Sequence, residues 1–351
     1  MVEQLSIVAS RRCAALLRLA ALAVAALATP LAQAQAATLD VVKQRGVLRC
    51  GVQKAAPGLS LSDAQGRPIG LEPEFCRALA AAVLGSRDRV EVKALGDTEL
   101  FQALASGEVD VLSGGASWTL SRDTELGARF AGAMFHESQE VMVRRSHAVS
   151  SALELSGASI CVAGGSRSEF AIAAYFERRS MPFQLVVGER WEDVTNAYKS
   201  GGCTAVTADA PALAALRAAL PDPDEHVMLP EVVAGKPHGP AVRQGDETWF
   251  AIVRWVLMAL IRADELGITS ANVDAMAESG GPEARHLLGR EANIGTPIGL
   301  PQTWAYEVIR QVGNYSEMFE RNLGRQSPFK LRRGLNGLWQ NGGLLYAAPL
   351  R

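Results

Sequence analysis

Two side chains of opposite charge, Arg122 and Asp209, lie at positions where the sequence supports recognition chemistry. Arg122 belongs to the polar stretch ASWTLSRDTELG at residues 116–127, which follows an apolar run and the pair Gly114-Gly115. The fork of an arginine guanidinium suits a carboxylate, and an aspartate suits an ammonium group. If both side chains face one cleft, they predict an α-amino acid site, with Arg122 on the carboxylate and Asp209 on the amino group.

Neighbouring residues can complete such a site, although each also has an ordinary structural explanation. Ser117 and Ser166 could add hydroxyl or backbone donors, and a helix starting near Ser168 would direct its N-terminal amides at a negative group. Arg122 could instead be a surface charge, and Asp209 could simply cap the helix that follows it. The five histidines are scattered without ligand spacing, so the sequence predicts no metal site and no cofactor.

Strands and helices alternate in two similar series, and this order predicts α/β lobes with parallel sheets. In the first series we predict strands at 47–52, 89–95 and 109–113 with helices at 71–84 and 97–105. In the second we predict strands at 159–163, 183–187 and 204–208 with helices at 168–178 and 191–199. In such sheets, ligands bind beyond the carboxyl ends of the strands. The clusters 114–122 and 164–169, together with Asp209, occupy such ends.

Two chain crossings between the lobes predict a hinge. One lies near residues 141–145, and the other is the structure-breaking stretch Lys-Pro-His-Gly-Pro at 236–240. We therefore assign residues 37–143 and 237–351 to the first lobe, including a C-terminal helical extension, and residues 144–236 to the second.

The first 36 residues are typical of a secretory signal peptide. Arg11 and Arg12 precede an apolar stretch at 13–31, and small residues occupy positions 32, 34 and 36, so we expect cleavage after Ala36. Arg18 interrupts the apolar stretch, which argues against a transmembrane anchor. The net charge of −2 becomes about −4 when the leader, with three arginines and one glutamate, is removed. This balance argues against nucleic acid or an anionic membrane as the main partner.

Four cysteines remain after the leader, and an even number in an exported chain favours disulfides. Three pairings of Cys50, Cys76, Cys161 and Cys203 are formally possible. We choose Cys50 with Cys76 and Cys161 with Cys203, because each pair then lies within one lobe.

Several long motifs resemble the periplasmic general L-amino-acid-binding proteins of ABC importers, which belong to solute-binding protein family 3. They are WTLSRDTELGARFAG, GPAVRQGD, GLPQTWAYEVIRQVGNYSEMFERNLG and RGLNGLWQNGGLLYA, and the likeness extends from about residue 38 to 351. The resemblance implies a two-lobed type II periplasmic-binding-protein fold that closes over an amino acid and is read by an inner-membrane permease. It also implies that Arg122 grips the α-carboxylate and Asp209 the α-ammonium. We expect a monomer.

Other positions depart from the family pattern. Gln53 stands where relatives have Asn or Asp, and Gly114, Gly115, Ala116 and Ser117 replace their Arg-Asn-Thr-Thr. The second-lobe turn, Gly-Thr-Thr in relatives, reads Gly165-Ser166-Arg167. We therefore expect a larger or looser pocket in which Arg167 could receive an extra acidic group. The full candidate set is Arg122, Asp209, Ser117, Gly115, Ser166, Arg167 and Gln53.

Two other functions are compatible with this fold. One is an exported enzyme similar to cyclohexadienyl dehydratase, for which Glu169 would be the general acid. The other is a ligand-loaded partner of a membrane sensor, which would use the same closed outer surface as a transport component.

Overall fold

Two mixed sheets, each flanked by helices, form the framework of the chain. The computed structural model describes residues 37–291 and 293–350, so the predicted signal peptide lies outside the described residues. The strands within this part are β1 (Leu48–Gln53), β2 (Leu61–Ser62), β3 (Pro68–Ile69), β4 (Val90–Leu95), β5 (Val111–Leu112), β6 (Ala128–Phe130), β7 (Phe135–Arg144), β8 (Ser159–Ala163), β9 (Gln184–Gly188), β10 (Ala205–Asp209), β11 (His226–Met228), β12 (Ala234–His238) and β13 (Ala241–Arg243).

Helices cover the faces of the sheets and build the C-terminal part. They are α1 (Thr38–Arg45), α2 (Leu71–Leu84), α3 (Leu100–Ser106), α4 (Leu120–Thr124), α5 (Arg167–Glu177), α6 (Trp191–Lys199), α7 (Ala210–Ala218), α8 (Glu247–Glu265), α9 (Val273–Ser279), α10 (Pro282–Leu287), α11 (Trp304–Val312) and α12 (Tyr315–Asn322). No helix of the described part combines the length and the apolarity that crossing a membrane requires.

The first sheet has the order β4-β1-β5-β13-β6, and the second has the order β11-β7-β10-β8-β9 with β12 also paired to β7. Strands β4, β1 and β5 are parallel, as are β9, β8 and β10. The remaining pairings in both sheets are antiparallel. The prediction of two α/β lobes is confirmed. The prediction of parallel sheets is wrong, because each sheet also contains strands that pair in the antiparallel direction: β6 and β13 in the first, and β7, β11 and β12 in the second.

The sheet membership of β7 differs from the predicted lobe boundary. The sequence assignment placed residues 37–143 in the first lobe, whereas β7 pairs along most of its length with β10 and β12 of the second sheet. The chain therefore passes between the sheets at residues 131–134, and returns at 239–240 between β12 and β13. The crossing predicted near residues 141–145 instead coincides with the end of β7, within the second sheet.

Buried faces of two long helices make up much of the core next to the first sheet. Helix α2 buries Phe75 and Leu79, which lie one helical turn apart, and α8 buries Trp249 and Val253 at the same spacing. The indole Nε1 of Trp249 donates to the carbonyl of Asp110 at 2.9 Å, so this large side chain is buried without an unsatisfied donor. The helices thus fix the position of the strands that lead into the candidate site.

The C-terminal extension contacts elements of both sheets. Helix α11 packs on α2, beside the first sheet. The amide of Asn336 accepts the N–H of His136 at 2.7 Å and donates to its carbonyl at 3.0 Å, at the start of β7. Arg217 of α7 donates to the carbonyl of Phe329 at 2.7 Å. The extension therefore braces the region where the chain passes between the sheets.

Both predicted disulfides are present. Cys50 in β1 is bonded to Cys76 in α2, with their Cα atoms 5.9 Å apart. Cys161 in β8 is bonded to Cys203, two residues before the start of β10, with a Cα separation of 5.8 Å. Each bond lies beside a strand whose carboxyl end leads into a candidate site segment.

Candidate functional site

Arg122 lies on the short helix α4, which Thr119 caps by accepting the backbone N–H of Arg122 at 3.4 Å. One guanidinium nitrogen donates to the carbonyl of Ser117 at 3.0 Å, and the guanidinium carbon lies 5.7 Å from the centre of the Phe101 ring. Both partners are neutral, so these contacts orient the guanidinium without neutralising its charge. The guanidinium of Arg122 therefore keeps a charge that these two contacts do not offset.

The glycine pair before this helix is explained by close packing. A Cβ at Gly114 would lie 2.5 Å from the carboxylate oxygen Oε1 of Glu72. Gly115 has a φ of +76°, and a Cβ there would lie 2.7 Å from the Cβ of Gln53. The space freed by these glycines is thus filled by Glu72 and Gln53. It does not enlarge the pocket in the way that their small size suggested.

Gln53 lies at the end of β1, beside Gly115, but its side chain has another partner. Its amide Nε2 donates to Oδ1 of Asp97 at 3.2 Å, and its backbone N–H donates to Oε2 of Glu72 at 2.9 Å. The structure therefore brings Gln53 to the loop that precedes Arg122, with its amide bonded toward the exposed Asp97.

Glu72 is a buried acid that the sequence reasoning missed. It lies in the first turn of α2 with only 2% of its surface exposed. Burial raises the pKa of its carboxyl, although hydrogen bonds from the backbone of Gln53 and Gly115 oppose this change. The acidic residue after Gly70 and Leu71 was visible in the sequence, but nothing there indicated that the loop at 114–115 would cover it.

We expect Glu72→Gln to change how stability depends on pH. A carboxyl whose pKa is raised by folding binds its proton more readily in the folded state, so stability present at low pH is lost as the pH rises through the folded-state pKa. The wild-type protein should lose this contribution as the pH rises above about 4, the ordinary range of a glutamate. Thermal unfolding measured across this range should therefore show that the melting temperature of the variant rises relative to that of the wild type as the pH increases. Glu278→Gln, at an exposed position, should follow the wild-type profile, and parallel profiles for Glu72→Gln would contradict the prediction.

Ser166 and Arg167 begin helix α5 beyond the end of β8. The hydroxyl of Ser166 donates to the carbonyl of Ala163 at 2.5 Å and accepts the N–H of Glu169 at 3.2 Å, so it caps the helix. Arg167 is exposed, and its guanidinium donates to the carbonyl of Gly235 at 3.1 Å. The carboxylate of Glu169 accepts the N–H of Gly165, one residue before the N-cap, at 2.7 Å. This turn thus leaves a guanidinium at the edge of the site.

Asp209 ends β10 and lines a cavity of about 220 Å³ together with Ser166, Arg167, Gln139 and Lys236. It occupies the N-cap position of α7, but its side chain makes no capping hydrogen bond. Its Oδ2 instead lies 3.0 Å from Nζ of Lys236. Burial raises the pKa of Asp209, and the nearby charge of Glu137 adds to this effect. The capping explanation for Asp209 is therefore wrong.

Lys236 bridges two carboxylates. Its Nζ lies 2.7 Å from Oε2 of Glu137 in addition to its contact with Asp209. Burial opposes the charge on Lys236, but the two carboxylates outweigh it and raise the pKa of the ammonium. Burial likewise opposes the charge on Glu137, but the hydrogen bond from His238 and the charge of Lys236 lower the pKa of this carboxyl. The cluster therefore favours the charged forms of Lys236 and Glu137, whereas burial and the charge of Glu137 disfavour that of Asp209.

His238 connects this cluster to the loop that carries Ser117. Its Nε2 lies 3.0 Å from Oε2 of Glu137 and 3.3 Å from Oγ of Ser117. Its Nδ1 is buried and has no hydrogen-bond partner among the described residues. The backbone N–H of Trp118 donates to the carbonyl of Pro237 at 2.8 Å. Contacts thus run from Ser117 through His238, Glu137 and Lys236 to Asp209.

The predicted residues fall into two groups that these contacts join. Gln53, Gly115, Ser117 and Arg122 lie beside the first sheet, whereas Ser166, Arg167 and Asp209 lie beside the second. The sequence reasoning missed Glu72, Glu137, Lys236 and His238. Within the described residues, no group of three or more His, Cys, Asp or Glu side chains is arranged to hold a metal ion.

Comparisons with known proteins identify chains that are similar to this one over most of its length. Residues 48–271 match the sequence model of the bacterial extracellular solute-binding proteins, family 3. The chain is 46% identical to the general L-amino acid-binding periplasmic protein AapJ of Rhizobium johnstonii over 334 residues, covering 95% of this chain and 98% of that protein. It is 44% identical to the glutamate/glutamine/aspartate/asparagine-binding protein BztA of Rhodobacter capsulatus over 319 residues, covering 91% and 94%. A solved periplasmic binding protein from Brucella ovis with glutathione bound is 45% identical, with a TM-score of 0.76 over 90% of this chain and 100% of that one.

Proposed function

Because this chain belongs to family 3 of the bacterial extracellular solute-binding proteins, we propose that it binds a polar L-amino acid between two lobes and delivers it to the permease of an ABC importer. The observation that carries the proposal is the series of contacts from Ser117 to Asp209, which links the loop that carries Arg122 to the cavity lined by Asp209. Among the described residues, the guanidinium of Arg122 contacts neutral partners, and Asp209 is a half-buried carboxylate lining a cavity. An α-amino acid carries the two complementary charges at one carbon atom.

A second arginine at the site indicates the charge of the ligand. Arg167 lies at the edge of the cavity, and it is a second guanidinium besides Arg122. A ligand with a second carboxylate would use it, as glutamate, aspartate or the tripeptide glutathione would. The names of the relatives include glutamate and aspartate, and the Brucella ovis protein holds glutathione. Acidic amino acids and γ-glutamyl peptides are therefore the first ligands to test.

The lobes that close on this ligand follow the two sheets. We place the passages between them at residues 131–134 and 239–240, so that the second lobe is centred on β7 to β12 and the first includes the C-terminal extension. Ligand contacts from both lobes would stabilise the closed state, because only that state can make all of them. The permease would read the outer surface of this state.

We also propose that the chain acts in the periplasm as a monomer, after export and cleavage near Ala36. The arginines and small residues of the first 36 positions support export, and AapJ is named as periplasmic. Delivery to an inner-membrane permease requires this compartment.

We propose that the chain binds its ligand without catalysing a reaction on it. A dehydratase on this fold would need a pocket carboxyl as general acid, and Glu169 is the residue that the turn at 164–169 offers. Its carboxylate instead accepts the N–H of Gly165 in the turn that precedes α5. This structural role supports binding over the enzymatic alternative, and turnover of arogenate or prephenate that is lost in Glu169→Gln would reverse the choice.

Calorimetric titration tests the proposal directly. The mature protein should bind at least one member of a panel of polar amino acids and glutathione, with a stoichiometry of one. Asp209→Asn should weaken binding of that ligand by roughly 10- to 100-fold, because a hydrogen bond between two charged groups is lost. Asp222→Asn, at an exposed position in the same lobe, is the matched control and should bind as the wild type does. If no member of the panel bound to the protein, the amino-acid assignment would be refuted.

A further inference from the structure

Lys236 already occupies the place beside Asp209 where an amino-acid ammonium is expected. Its Nζ lies 3.0 Å from Oδ2 of Asp209 and 2.7 Å from Oε2 of Glu137. The position is fixed by the backbone, because Lys236 on β12 pairs directly with Glu137 on β7, and Asp209 on β10 pairs with Gln139 of the same strand. The side chain of Lys236 is only 23% exposed, so the contact lies inside the cavity and is not a surface ion pair.

We propose that Lys236 supplies, from within the protein, the ammonium group that Asp209 would otherwise take from the ligand, and that it thereby relaxes the requirement for a free α-amine. This inference rests on the proposed function, whose site it refines. It extends the ligand class to carboxylic acids in which the α-amine is absent or acylated.

The charges of the cluster explain the effect. Glu137 and Asp209 contribute two negative charges and Lys236 one positive charge. His238 also contacts Glu137, through Nε2 at 3.0 Å. The two carboxylates thus outnumber the ammonium of Lys236, and they still attract a ligand ammonium. A ligand without an amine, however, leaves Asp209 paired with Lys236 and avoids the cost of a buried, unpaired carboxylate.

A selectivity ratio tests the inference. The dissociation constant is measured for the tightest-binding amino acid and for its deamino analogue, which keeps the carboxylates and lacks the amine. In Lys236→Met the preference for the amino acid should rise by about 10-fold or more, because Asp209 then has no cation without the ligand. Lys236→Arg should keep the wild-type ratio, as should Lys199→Met, at an exposed position in the same lobe. An unchanged or smaller ratio in Lys236→Met would overturn the inference.

A second measurement needs no ligand and separates this inference from the proposed function. Thermal stabilities of ligand-free Lys236→Met, Asp209→Asn and the double variant form a double-mutant cycle. Non-additive changes support the pairing, and strictly additive changes overturn it. If no member of the panel binds to the wild type, the proposed function fails, and the cycle still decides whether Lys236 and Asp209 are paired.

Discussion

Replacing Arg122 with alanine is expected to weaken binding of the amino-acid ligand by at least about 100-fold, because two charge-assisted hydrogen bonds to its carboxylate are lost at once. The guanidinium is already oriented by the Ser117 carbonyl and the Phe101 ring, so the ligand does not have to order it. The loss should therefore appear in the binding constant measured by calorimetry, with little change in the melting temperature of the ligand-free protein.

Two further variants make the Arg122 result interpretable. Arg122→Lys keeps the charge but loses the planar fork, so it should recover only part of the affinity. Arg89→Ala removes an exposed arginine of the same lobe and should leave the binding constant unchanged. If Arg122→Ala bound the ligand as tightly as Arg89→Ala, the carboxylate would have to be held elsewhere, and Arg167 would be the next residue to replace.

Regular elements with strong local signals were predictable from the sequence. The predicted helices at 71–84 and 191–199 and the predicted strand at 159–163 coincide with α2, α6 and β8. Apolar residues recur at helical spacing in α2, and glycine follows its last residue, so local information was sufficient there. The direction of strands β6, β7 and β13 depends on pairing with distant segments, which periodicity does not report.

The polar part of the site was only partly predictable, for a related reason. Arg122 and Asp209 follow strands, and the rule that ligands bind at the carboxyl ends of strands applies to each of them separately. Lys236 and His238 lie in a stretch with two prolines, which indicated a break in structure. Residues 236–238 of that stretch nevertheless belong to the edge strand β12. Pro237 is tolerated there because an edge strand leaves one side of its backbone unpaired. Its partner Glu137 is visible only once β12 is placed beside β7.

Removing the disulfides should have the largest effect on stability. The bond between Cys161 and Cys203 closes a segment of 42 residues and the bond between Cys50 and Cys76 one of 26. In the chain-entropy description, these closures stabilise the protein by about 4 and about 3.5 kcal/mol, respectively. Replacing each pair with alanine should lower the free energy of unfolding by amounts of this order, measured by denaturant titration at constant pH. Thiol titration of the unfolded exported protein should detect no free cysteine, and four free thiols would refute both bonds.

The same bonds should also affect binding, because each is attached to a strand that leads into the site. Cys50 lies three residues before Gln53 in β1, and Cys161 lies three residues before Gly164, where the loop to Ser166 begins. Reduction at a temperature where the protein remains folded should therefore weaken ligand binding as the strand ends become less rigidly held. Because the Cys161–Cys203 bond holds β8 beside β10, its removal should loosen Ser166 relative to Asp209 and weaken binding more than loss of the other bond. Equal affinity in the oxidised and reduced proteins would show that the sheets alone hold the site in place.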